Sequence, residues 1–332
     1  MGSGLPVKVR HGGTIKQHLE KTGRATLDFS ASLNPFPPAM DWDFPPSLLD
    51  HYPDDDYLQL KEVIGRLFHR DVEEIAVGNG SIELIRSFSQ AIFRNNGAAK
   101  IDDPTFGEYL MSVQLAGGHL MKEGEIPSAA FLCNPNNPTG ELIRKKEVSL
   151  LLKSYENQGT CMFLDEAFIE LSNPGESLVA IRDPHLCVLR SLTKCFSVPG
   201  LRFGYAFADP DLVCAMEVLR SPWSVNAFAE HFAIQAFKKY HKLDESRRKI
   251  EIERNFLVKS LNGLGFTVTP PAANFILADT GKDVADLCNS LTSHGILVRD
   301  CTSFGLPNSI RISVRTRPEN QSLVEALETC VH

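Results

Sequence analysis

No cysteine pair in this sequence has the CxxC spacing, although eight cysteines are present (Cys133, Cys161, Cys187, Cys195, Cys214, Cys288, Cys301 and Cys330). Several sit in apolar runs such as "TCMFLDEA" and "HLCVLRS". The reading is therefore free buried thiols in a reducing cytoplasm, not a disulfide framework. The ten histidines form no HExxH or comparable spacing, and no metal site is expected. Positive charge is not in excess. A net charge of −7 speaks against general attraction to nucleic acid or to an anionic membrane. No apolar run reaches the length of a membrane span. The opening "MGSGLPVKVRHGG" has no apolar core of the signal-peptide kind, which adds to the cytoplasmic expectation. Internal repeats and low-complexity tracts are missing too.

What is present, 43% hydrophobic and 23% charged residues over 332, can bury a large core and divide into a larger and a smaller domain. Residues 1–45 are irregular and proline-rich ("LNPFPPAMDWDFPP"), and are expected to return to the smaller domain. In residues 46–224, helical spacing in "YLQLKEVIGRLF" and "SIELIRSFSQAIF" alternates with short apolar runs: "EIAVG", "AAFLCNP", "CMFLDEA", "LCVLRS" and "FGYAFA". That alternation predicts an α/β domain with a mostly parallel sheet covered on both faces, its ligands gathered at the carboxyl ends of strands. In residues 225–332 one long helical stretch begins near Ala227. It is followed by "ANFILAD", "GILVRD", "SIRISVRT" and a last helix from Glu319, as in a smaller α+β domain.

Four segments carry candidate chemistry. In "SLTKCFSVPGLRFGYAFA", Lys194 and Arg202 bring two cations into a segment that otherwise reads as buried. A lysine in an apolar setting loses its proton more easily and becomes a nucleophile near neutral pH. With Ser191, Thr193 and Arg202 nearby it suits an aldehyde cofactor that also carries a phosphate. A snorkelling lysine and a salt-bridged arginine explain the segment equally well. In "FLDEAF", Asp165 ends an apolar strand, where it could meet a pyridine nitrogen or simply cap a helix. "CNPNNPTG" is dense in turn formers, yet Asn137 could donate an amide there. "VGNGSIELI" places Gly78, Gly80 and Ser81 between a strand and a helix, a weak signal for phosphate.

Taken together and in this order, these motifs and "PTFG" resemble the aspartate-aminotransferase-like (fold type I) family of pyridoxal-phosphate enzymes, over nearly the whole chain. The resemblance implies pyridoxal 5'-phosphate as cofactor, with Lys194 as the Schiff-base lysine and Asp165 as the pyridinium partner. It implies that Asn137 donates to the ring 3-hydroxyl oxygen and that Phe106 stacks on the ring. Asn79, Gly80, Ser81, Ser191, Thr193 and Arg202 would form the phosphate cup. Tyr52 matches a tyrosine that reaches the cofactor of the neighbouring subunit, so a homodimer with shared active sites is expected. One departure is Phe168, where histidinol-phosphate aminotransferases carry a tyrosine that also touches the ring oxygen.

The substrate signal lies in "GILVRDCTSFGLPNSIRISVRTR", with Arg299, Arg311, Arg315 and Arg317 against Asp300. An extended strand to residue 317 would put Arg311, Ser313, Arg315 and Arg317 on one face. That face is either a solvated edge or a binding surface for a small, doubly anionic substrate. "HGGTI", "LDFSASLNPFPP", "VRDCTSFGLP" and "RISVRTRPEN" are similar to the L-threonine O-3-phosphate decarboxylases of cobalamin biosynthesis, relatives of the histidinol-phosphate aminotransferases. By that similarity Arg311 grips the α-carboxylate and Arg299 the phosphate of a phosphorylated amino acid, with His11, Asn34 and Arg315 in the same pocket. Arg315 stands where the histidinol-phosphate enzymes usually have glycine. An aminotransferase acting on histidinol phosphate or a related amino acid, and a non-catalytic relative of the fold, stay open as alternatives.

Overall fold

A computed structural model describes residues 6–13, 15–16, 20, 26–94 and 96–331. Strands β2 (Ile75–Gly78), β3 (Ala98–Ile101), β4 (His119–Leu120), β5 (Ala129–Cys133), β6 (Cys161–Asp165), β7 (Leu186–Arg190) and β8 (Gly204–Phe207) form a seven-stranded sheet. Its order is β2-β8-β7-β6-β5-β3-β4, and only β8 runs antiparallel to its neighbours. The mostly parallel α/β sheet expected from the sequence is therefore present. Its strands lack polar alternation because both faces are covered. Phe163 and Leu189 pack with Leu84 and Phe88 of the helix Ser81–Ile92 on one side. Their neighbours Met162, Leu164 and Val188 pack with Val148 and Leu152 of the helix Lys145–Glu156 on the other.

A four-stranded antiparallel sheet joins β9 (Thr267–Val268), β10 (Phe275–Asp279), β12 (Arg299–Asp300) and β13 (Ser309–Ser313) in the order β12-β13-β10-β9. Near the N-terminus, β1 (Leu27–Asp28) pairs in parallel with β11 (Ile296–Leu297), and Phe29 O accepts from Ser313 N at 2.9 Å. Ile310 and Ile312 of β13 point into the main core while Arg311 and Ser313 point away, as period-two alternation requires.

Two sequence expectations need correction here. The helical stretch from Ala227 is two helices, Ala227–Lys238 and Leu243–Gly263, parted by a 3-10 turn at Tyr240–Lys242. Tyr240 turns inward there, its hydroxyl 3.3 Å from Glu170 Oε1. The strand "SIRISVRTR" also stops at Ser313, because a helix begins at Arg317. Thr316 and Glu319 form the carboxylate half of a helix-start signal. The Glu319 carboxylate accepts from the Thr316 backbone N–H at 3.1 Å and from its hydroxyl at 2.6 Å. Arg311, Arg315 and Arg317 therefore do not share one strand face.

Candidate active site

Strands β2, β3, β5, β6 and β7 run in one direction, so the segments after them emerge at a single edge of the sheet. β8 enters at that same edge, just after Arg202. Two adjoining cavities open there, of about 270 and 370 Å³, and His11, Phe106, Asn137, Phe168 and Lys194 line both.

The first cavity gathers Ser81, Phe106, Asn137, Asp165, Thr193 and Lys194, with Arg202 at its side. Lys194 sits in a short helical turn (Leu192–Cys195) directly after β7. Burial, helped by the positive fields of Arg311 and Arg202 and opposed by Asp165, pushes its ammonium down from 10.5 to about 8. Asp165, the last residue of β6, is 5% exposed, and burial raises its carboxyl. Against that, Tyr109 Oη donates to Oδ2 at 2.6 Å and the Ala167 N–H to Oδ1 at 2.9 Å. The turn formers of "CNPNNPTG" divide the work. Asn134 and Asn136 close the turn itself, through Ile143 and Pro104, and leave Asn137 to face the cavity. Asn137 Oδ1 accepts from Arg311 Nη1, which leaves its amide nitrogen as the free end.

Gly80 stands at φ +78°, and a Cβ there would lie 2.3 Å from Arg202 Nη2. Only glycine lets the strand–helix turn meet that guanidinium. Ser191 and Thr193 share a 3.0 Å hydroxyl contact beside it. Arg202 itself is exposed, which corrects the expectation of two buried cations. Its left-handed backbone (φ +57°) turns the side chain outward while Phe203 goes into the core.

The second cavity is lined by Arg10, His11, Arg299 and Arg311, and no aspartate or glutamate lines it among the described residues. Arg311 is 7% exposed. One nitrogen donates to Ser30 O at 2.9 Å, and its Nε is buried without a partner. Burial brings its pKa down to about 10. Arg299 donates to Ser303 Oγ at 2.6 Å and to Arg10 O at 2.8 Å.

Six expected residues are outside the lining of both cavities: Gly80 and Ser191, placed above beside Arg202, and Asn79, Asn34, Arg315 and Tyr52. Asn79 is exposed, with only its backbone N–H tied, to Glu83 at 2.7 Å. Asn34 donates through its side chain to Cys195 O at 2.7 Å, and its N–H binds Lys194 O at 3.0 Å, so it braces the lysine turn from behind. Arg315 is drawn away by Glu319 and Asp28 O. Tyr52 is 79% exposed and stacks on Trp223 at 4.5 Å. The sequence reading missed Tyr109 and Glu108. The Glu108 carboxylate is held by Arg86 at 2.8 Å and takes His11 Nε2 at 2.9 Å. Both residues directly follow the "PTFG" motif, two and three positions after Phe106. No group of three or more His, Cys, Asp or Glu able to hold a metal occurs among the described residues, and no helix there is long and apolar enough to cross a membrane.

The family model for aminotransferase class I and II matches residues 121–327. A protein of Caldanaerobacter subterraneus subsp. tengcongensis, provisionally named threonine-phosphate decarboxylase, is 33% identical, with 96% of this chain and 92% of that protein aligned. A histidinol-phosphate aminotransferase of the same organism is 32% identical over 83% of each chain. Among solved structures, histidinol-phosphate aminotransferase from Sinorhizobium meliloti in complex with pyridoxal-5'-phosphate superposes with a TM-score of 0.85 at 22% identity. That superposition covers 99% of this chain and 95% of that one.

Proposed function

The chain belongs to the aminotransferase class I and II family, whose cofactor is pyridoxal phosphate, and from that premise we propose that it decarboxylates L-threonine O-3-phosphate to 1-amino-2-propanol O-2-phosphate in cobalamin biosynthesis. The first cavity fits the cofactor on its own evidence. It has an amine whose pKa burial lowers to about 8, a buried carboxylate at a strand end, and a glycine cradle that any Cβ would fill. Lys194 would bind the aldehyde carbon, Asp165 would face the ring nitrogen, and Phe106 would cover the ring. Asn137 would donate its free amide nitrogen to the ring hydroxyl. Asn79, Gly80, Ser81, Ser191, Thr193 and Arg202 would hold the phosphate. Tyr52, exposed in one chain, would complete the cup of a second copy, so the working form is a homodimer.

When bound, the cofactor supplies an electron-withdrawing ring that accepts the electrons of one bond at the substrate's α-carbon. The protein would choose the bond by how its own residues hold the groups around the α-carbon. Arg311, anchored on Ser30 O and Asn137, would grip the α-carboxylate, and Arg299 would take the phosphate. Lys194 would return a proton to the α-carbon in place of the carbon dioxide lost.

The observation that carries this reading is the second cavity, with separate guanidinium sockets and no lining carboxylate among the described residues. Such a chamber suits a small molecule bearing two anions. Histidinol phosphate, the substrate of the alternative aminotransferase reading, brings one anionic group and leaves the second guanidinium without a counter-charge. The test offers purified holoenzyme O-phospho-L-threonine with no keto acid. Release of carbon dioxide is expected. No release, with keto-acid-dependent turnover of histidinol phosphate, would replace this reading with the aminotransferase.

A further inference from the structure

Tyr109 has no exposed surface, and its ring is locked on two sides. It stacks on Phe131 at 5.3 Å and meets Phe106 edge-on at 5.5 Å. Within that packing its hydroxyl has one carboxylate to serve, Asp165, at 2.6 Å. Among the described residues no other side chain donates to Asp165. The remaining bond comes from the Ala167 backbone. Lys194 is the cation that helps keep Asp165 ionised, and its amine has another task at the aldehyde. Burial holds the Tyr109 hydroxyl protonated well beyond the ordinary tyrosine range, so it stays a donor. Without that donor, a carboxylate in an apolar floor would drift toward its neutral form and toward other rotamers.

We propose that Tyr109 is a positioning residue for the cofactor's ring nitrogen, acting through Asp165: its hydroxyl fixes the carboxylate as a charged, singly oriented partner. This rests on the reading of Asp165 as that nitrogen's partner. It also gives the helix Glu108–Leu115 a double part, since Phe106 just before it covers the ring and Tyr109 in its first turn serves the ring's edge. A spectator tyrosine would need only to fill space, and phenylalanine would do that as well.

The experiment pairs Tyr109→Phe with two probes, pyridoxal phosphate and its 1-deaza analogue, in which a C–H replaces the ring nitrogen. Affinities are measured by equilibrium dialysis on protein stripped of cofactor. Wild-type protein should prefer the natural cofactor by about tenfold or more, the worth of a hydrogen bond to a charged group. In Tyr109→Phe that preference should shrink at least about threefold while the deaza analogue binds as before, which also shows that the fold is intact. Equal weakening of both probes would mean a packing role and would overturn the proposal. So would a preference left at its wild-type size. If wild-type protein shows no preference at all, the assignment of Asp165 falls as well, and the two failures are told apart.

Discussion

Replacing Lys194 with methionine should stabilise the cofactor-free protein at neutral pH, by an amount that shrinks as the solution becomes alkaline. The cause is the burial that makes the amine useful. In the folded protein Lys194 gives up its proton at about 8, whereas an unfolded chain holds it to the ordinary 10.5. Below pH 8 the lysine is charged in both states, and folding must desolvate that charge beside Arg311 and Arg202. The gap between 8 and 10.5 corresponds to about 3 kcal/mol, and to about 2 kcal/mol once the open side of the cavity is allowed for. Between those two values the unfolded chain binds the additional proton, so wild-type stability climbs as pH rises through this window. Lys194→Met removes that slope. Denaturant unfolding of both proteins at pH 7 and at pH 10.5 gives the comparison. The advantage of the variant at pH 7 should be about 2–3 kcal/mol larger than at pH 10.5. Packing differences between the two side chains do not depend on pH and cancel. An advantage of the same size at both values would show an amine solvated like an exposed lysine, and the nucleophile argument would lose its basis.

Gly204→Ala should cost about 1–3 kcal/mol of stability and weaken cofactor binding in the same step. Its Cβ would lie 2.5 Å from Ser81 N and 2.7 Å from Ser81 Cα, backbone atoms of the glycine turn that cannot swing aside. Thermal melts and cofactor titration check both effects. Arg311→Ala should raise KM for O-phospho-L-threonine by about thirtyfold or more, as when a buried charged partner is cut away, with a smaller change in cofactor affinity. Equal loss of both would refute its role at the carboxylate. Arg190→Met should cost about 3–5 kcal/mol in denaturant unfolding, because Glu166 and Glu170, both fully buried, each lose a guanidinium contact of 2.8 Å.

The cavity residues legible in the sequence were those whose position coincides with a local signal. Asp165 and Lys194 each follow an apolar strand, and Asn137 sits in a turn dense enough to be quoted. The mostly parallel sheet was legible for the same reason, since strands buried on both faces are short continuous apolar runs. Contacts between distant segments were not. Tyr109 meets Asp165 across 56 positions, and Glu108 meets His11 across 97. Neither pairing leaves a spacing that one sequence can display. Arg202 misled because burial was inferred from its neighbours Leu201 and Phe203, whereas a left-handed backbone decides where one side chain points. The "SVRTR" strand was overrun because alternation continued past Ser313. The competing cue, Thr316 and Glu319 three residues apart, is the stronger one at a helix start.

Asp165 and Glu166 are adjacent, and they turn to opposite sides of the sheet. The first meets Tyr109 at the cavity floor, and the second is sealed against Arg190 and Ser177. Two acids of nearly the same chemistry therefore have jobs that cannot be exchanged. Point substitutions near them change one contact at a time. Loss or gain of a single residue within β6 would instead rotate the pair. It would aim Glu166 at the cavity and bury Asp165 beside a guanidinium it is too short to meet. Length in this strand should thus be far less tolerant of change than composition, and insertions or deletions that descendants of this chain accept are expected to fall in its loops.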